Sequence, residues 1–144
     1  LGRGFSLEHL LKELFEYSSI STSGSFRRNE NSEQIDGAFS FDGQHFLFEC
    51  RWRKKPANTR EIDGFRGKLH RSGANTKGLF LSINGWSSKV LGMLKQNPHK
   101  DTILMNGEEL EFILKNFVDM KAVISKKLEG LHQRSEPFTD FTKI

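Results

Sequence analysis

Gln34-Ile35-Asp36-Gly37-Ala38-Phe39-Ser40-Phe41-Asp42-Gly43-Gln44-His45-Phe46-Leu47-Phe48-Glu49-Cys50-Arg51-Trp52 holds two Phe-rich runs, 35–41 and 45–52, on either side of an Asp-Gly dipeptide. Both runs have the composition of strands, and Asp-Gly suits a two-residue turn whose central residues need positive φ. With Asp42-Gly43 at its centre, Phe41 pairs with Gln44, and every outward step keeps the sum of the paired numbers at 85. Asp36 then faces Glu49, their Cβ atoms roughly 4.5–5.5 Å apart. Arg51, two residues beyond Glu49, points to the same face. The other face carries Phe39, Phe41, Phe46 and Phe48, then Cys50 and Trp52, and is expected to be a core layer. A turn longer by one residue would slip the register and part the two acids.

Facing carboxylates repel each other, so a sheet does not keep such a pair for stability. A hard divalent cation, Mg²⁺ or Mn²⁺, relieves the repulsion, taking oxygen ligands while keeping waters for reaction. Such an ion can activate water and neutralise a phosphate oxygen in one place. Arg51 beside it is a candidate to bind a phosphate or to stabilise developing charge. The competing structural reading leaves Asp36 at a strand edge and pairs Glu49 with Arg51 or His45.

Working outward, residues 5–17 carry an apolar helical stripe at 7, 10, 11, 14, 15 and 17, with Ser6 as the N-cap. Residues 18–33 are Ser, Gly, Asn and charge, which reads as a loop with Glu33 turned to solvent. Beyond the hairpin, Pro56 breaks the pattern and Thr59 is placed to cap a helix to about Ser72. Gly78–Ile83 reads as a buried strand, Trp86–Gln96 as a helix, Asp101–Met105 as a strand and Gly107–Asn116 as a helix. Val118–Leu131 reads as a last helix before a polar tail. The order predicts an α/β fold, a mixed sheet containing an antiparallel hairpin and flanked by helices.

The chain's 144 residues suit one domain. No run approaches the ~20 apolar residues that span a bilayer, and no signal-peptide pattern opens the chain. A single cysteine excludes an internal disulfide and a cysteine-rich zinc module, so a reducing cytoplasm is the expected location, with no membrane partner. Leu1 in first place suggests a piece of a longer protein. The net charge is only +4, but residues 51–71 hold eight Lys or Arg against Glu61 and Asp63. That block suits a polyanion gripped through its phosphates, and equally a solvated surface. Arg53, Lys54, Lys55, Arg60 and Lys68 are the candidate nucleic-acid contacts.

Asp36-Gly37, the short hairpin and Glu49-Cys50-Arg51-Trp52 resemble the D…(D/E)xK signature of the PD-(D/E)XK nucleases, in particular the Mrr-like (type IV restriction endonuclease) branch. Arg3-Gly4-Phe5-Ser6-Leu7-Glu8 resembles the start of that branch's first helix. Asp63-Gly64-Phe65-Arg66-Gly67-Lys68 and Lys77 through Trp86 resemble its next helix and strand, so the likeness covers roughly residues 3 to 115. The resemblance implies a restriction-endonuclease-like core over about 3–115, a helical extension over about 116–144, and metal-dependent hydrolysis of DNA. It implies that Asp36, Glu49 and the Cys50 carbonyl hold Mg²⁺ or Mn²⁺, with Glu8 as an extra acid. On residue chemistry, Glu8 is equally a helix-dipole partner in the first turn. The expected partner is DNA, RNA being compatible, and the working unit a homodimer or part of a multidomain protein.

The departure from the pattern is Arg51, where the family carries lysine. Arginine keeps the charge but is a wider, planar fork that stays protonated. Three outcomes follow: a working variant, an inactive domain that still binds nucleic acid, or a site completed by Lys54 or Lys55. Two non-enzymatic readings stand beside them, a nucleic-acid-binding or assembly module and a protein-interaction domain with no nucleic-acid partner.

Overall fold

A computed structural model describes residues 6–73 and 75–143. The helix α1 (Leu7–Tyr17) starts where Ser6 accepts a hydrogen bond from the His9 N–H at 3.1 Å, as the sequence predicts. Two short strands follow, β1 (Phe26–Arg28) and β2 (Glu33–Ile35), then the hairpin strands β3 (Gly37–Phe41) and β4 (Gln44–Arg51). The chain continues through α2 (Thr59–His70), β5 (Lys77–Ser82), α3 (Ser88–Gln96), β6 (Thr102–Asn106), α4 (Gly107–Asn116) and α5 (Met120–Arg134).

Asp42 and Gly43 both take positive φ, 54° and 77°, and close the hairpin as a two-residue turn. The register is the predicted one, Phe41 opposite Gln44 and Gly37 opposite Phe48. Gly37 is required there, because a Cβ at that position would fall within the Phe48 ring. The sheet runs β3-β4-β5-β6, antiparallel across the hairpin and parallel from β4 to β6.

Alternation along β4 sends Phe46, Phe48 and Cys50 into a core shared with α1, α4 and α5. Leu47 enters a second core with Ile62, Phe65 and Leu69 of α2 and Val90 and Leu94 of α3. Helices on both faces of a mostly parallel sheet make this an α/β layer fold, the restriction-endonuclease-like architecture expected.

The structure departs from the sequence reading in several places. Residues 18–33 are not all loop: β1 pairs antiparallel with β2, Phe26 opposite Ile35. Glu33 does not face solvent; it is buried and takes hydrogen bonds from Arg28 at 2.6 Å and Arg71 at 2.6 Å. These contacts hold a polar strand pair that has no apolar alternation to announce it. Trp52 lies just past the end of β4 and is 53% exposed, outside the core layer. Asn58, not Thr59, caps α2, through a reciprocal box with Glu61. The C-terminal segment folds back on the body: the Leu104 N–H donates to Pro137 O at 2.9 Å, and Phe138 packs on Trp86. The Arg3-Gly4-Phe5 part of the resemblance lies outside the described residues.

Candidate active site

The acids lie where the hairpin opens. Asp36 stands one step beyond the β3–β4 ladder, between β2 and β3. With no β3 residue left to pair with it, the Cys50 N–H donates to the Asp36 carboxylate at 2.9 Å. Glu8, in the first turn of α1, comes to the same place. Glu8, Asp36 and Cys50 each put a potential ligand atom within 4.8 Å of the others.

Burial raises the Asp36 carboxyl above its ordinary value and the nearby Glu8 charge adds to this, against the Cys50 N–H and the charges of Arg51 and Lys68. Burial, with Asp36, Glu8 and Glu49 around it, also pushes the Cys50 thiol well up, so the sulfur keeps its proton. A protonated sulfur is a poor partner for a hard cation, whereas the paired Glu8 and Asp36 oxygens are the donors that Mg²⁺ or Mn²⁺ prefers. The donor set therefore fits such an ion.

Glu49 is handled differently. It is only 3% exposed, and two cations neutralise it. One of its oxygens accepts from Lys68 Nζ at 2.7 Å, and the other is held by the Arg51 guanidinium. Arg51 also donates to the Cys50 carbonyl at 3.1 Å and to Glu61 at 3.3 Å, lying 5.5 Å from the Phe80 ring centre. Lys68 makes a second hydrogen bond, 2.7 Å to the Gln34 carbonyl.

A family model described as restriction endonuclease, for the Mrr catalytic domain, matches residues 3–114. The chain belongs to the Mrr catalytic-domain family. The likeness seen in the motifs thus extends over most of the chain and identifies a restriction-endonuclease-like nuclease domain. A solved structure described as a protein of unknown function, AF1548, is similar at 18% identity with a TM-score of 0.47. The match covers 56% of this chain and just under half, 47%, of that one. No curated protein matches the chain. Among the described residues no helix is long and apolar enough to cross a membrane.

In this Mrr-family domain the candidate residues fall into separate groups. Glu8, Asp36 and Cys50 converge, while Glu49 and Arg51 are tied to each other and to α2. Lys54, Lys55 and Arg60 are exposed and form no ion pair among the described residues. Arg53 is held by Glu61, and Lys68 stands at Glu49. Sequence reasoning missed Glu61, which caps α2 with one oxygen and receives Arg51 and Arg53 with the other. The spacing Asn58-x-x-Glu61 is a capping-box pattern and was the available signal. It also missed that Lys68 reaches Glu49 across nineteen residues, for which no local signal exists.

Proposed function

We propose that this domain hydrolyses DNA phosphodiester bonds as a Mg²⁺- or Mn²⁺-dependent endonuclease, working as a homodimer or within a larger protein. The observation that carries the reading is the pairing of the Glu8 and Asp36 carboxylates at the mouth of the hairpin. It gains weight from the family to which the chain belongs.

Glu8 and Asp36, which already converge, would hold the cation, joined by Glu49 and the carbonyl of Cys50 as the family resemblance implies; a carbonyl has two lone pairs, so the Arg51 contact leaves one for a metal. The bound ion supplies Lewis acidity at a phosphate oxygen and makes water a better nucleophile at neutral pH. The chain's own residues do the rest. The Cys50 N–H orients Asp36, and Arg51 braces Glu49 against Glu61 and the strand end. Lys54, Lys55 and Arg60 lie exposed just beyond β4 and on the first turn of α2, where they can grip the DNA backbone without sequence preference.

One observation favours a second reading, a binding module that keeps the fold without the chemistry. Both Glu49 oxygens are occupied by cations of the protein itself. Nicking of supercoiled plasmid, with Mg²⁺ and then Mn²⁺, separates the two. The nuclease reading expects metal-dependent nicking that Glu49→Ala abolishes. Salt-sensitive DNA binding with no nicking under either metal would transfer the assignment to the binding module.

A further inference from the structure

Two cations contact Glu49, and their surroundings give them different work. The Arg51 guanidinium has three acceptors, Glu49, Glu61 and the Cys50 carbonyl, all from the protein. It links the end of β4 to the first turn of α2 and lies over Phe80, as a brace would. Lys68 is a compact ammonium with three N–H donors. Two are used, on Glu49 and on the Gln34 carbonyl, and one remains.

Lys68 also occupies a position that no other cation shares among the described residues. Gln34 lies two residues before Asp36, and Glu49 lies one residue beyond Phe48, the last β4 residue that pairs with β3. The ammonium therefore bridges the two segments that carry the candidate acids. It is firmly placed. Its neighbours Phe65 and Leu69 are buried on α2, and its own carbonyl accepts from Arg28 at 2.8 Å and Ser72 at 2.7 Å. A charge held by packing and a second layer of hydrogen bonds is preorganised for a developing negative charge. Lys54 and Lys55 are exposed on a connecting segment and lack such support.

We propose that the ammonium of Lys68, rather than the guanidinium of Arg51, is the cation that touches the scissile phosphate group during cleavage. The inference rests on the nuclease reading above. In the reaction a water oxygen bonds to phosphorus, the bond from phosphorus to the leaving oxygen breaks, the water loses a proton to solvent, and the leaving oxygen gains one from solvent. Lys68 gives up no proton in this balance; its free N–H donates to a non-bridging oxygen, where charge accumulates. Arg51 stays a positioning residue for Glu49.

The test is plasmid nicking under Mn²⁺ by the full chain, beside Lys68→Met, Lys68→Cys and Arg51→Lys, with duplex affinity measured in Ca²⁺ by fluorescence anisotropy. Lys68→Met is expected to lower kcat by about 10²–10³-fold, as when a preorganised charge-stabilising donor is removed. Its duplex affinity should stay within about threefold of wild type, where a simple phosphate grip would lose affinity instead. Lys68→Cys is expected to be silent until 2-bromoethylamine rebuilds an amine on the new thiol. Cys50 is buried with its sulfur protonated, so the reagent finds only position 68. Recovered nicking also proves that the variant is folded.

Lys68→Met cutting within about threefold of wild type would overturn the inference while leaving the nuclease standing, on the scale of effects expected for a real donor. So would a loss confined to affinity, or an alkylated Lys68→Cys as silent as before. Arg51→Lys faster than wild type would place the working ammonium at position 51. A wild-type chain silent with both metals would overturn the nuclease reading and this inference with it.

Discussion

Consider replacing Glu49 by Gln, which keeps the volume and removes the charge. Glu49 is 3% exposed, whereas the Lys68 and Arg51 side chains keep 22% and 28% of their surface. The variant therefore leaves two cations without their anion, but both can turn partly toward water. Hydrogen bonds to charged groups contribute about 1.5–3 kcal/mol each, and breaking a buried pair costs about 3–5 kcal/mol. The residual solvation of both cations puts this case at the lower end, about 3 kcal/mol at pH 7. For a chain of this size that is a fall of roughly 6–12 °C in Tm, at about 2–4 °C per kcal/mol. The measurement is thermal and urea unfolding in EDTA, so that no metal contributes. Adding Lys68→Met to Glu49→Gln should restore part of the loss, with a coupling of about 1–2 kcal/mol between the two sites. A Glu49→Gln protein melting within about 2 °C of wild type, well under the cost of a broken buried pair, would refute the placement of these charges.

Two further outcomes follow from the fold. Gly37→Ala should destabilise by at least the ~1–3 kcal/mol typical of overpacking, because its Cβ meets the Phe48 ring, and Phe48→Leu in the same chain should recover part of the lost urea midpoint. Glu33 supplies a pH test: burial alone would raise its carboxyl, but hydrogen bonds from Arg71 and Arg28 outweigh burial and hold it below its ordinary value. A carboxyl depressed in the folded state contributes stability that is present above its ordinary value and lost as pH falls through the depressed one. The stability gap between wild type and Glu33→Gln should therefore be widest near neutral pH and close on acidification through that window. Urea midpoints across a pH series check it, and a gap independent of pH would contradict the assignment.

Much of this protein was legible in the chain alone, for local reasons. The hairpin follows from an Asp-Gly pair that accepts positive φ at both positions, and its register, from Phe41 opposite Gln44 to Gly37 opposite Phe48, follows from the two-residue turn. The helix α1 announces itself by stripe and cap, and the motif likeness over about 3–115 agrees with the matched span, 3–114. Tertiary packing decided the rest. β1 and β2 are held by Arg28, Arg71 and Glu33, charges that the sequence presents as an ordinary polar loop. The division of the acids, Asp36 toward Glu8 and Glu49 toward Lys68 and Arg51, depends on where α1 and α2 settle on the sheet. Strand period and turn chemistry act over a few residues and can be read in order along the chain. An ion pair between residues nineteen apart exists only once Phe65 and Leu69 are buried and α2 has been turned to face β4.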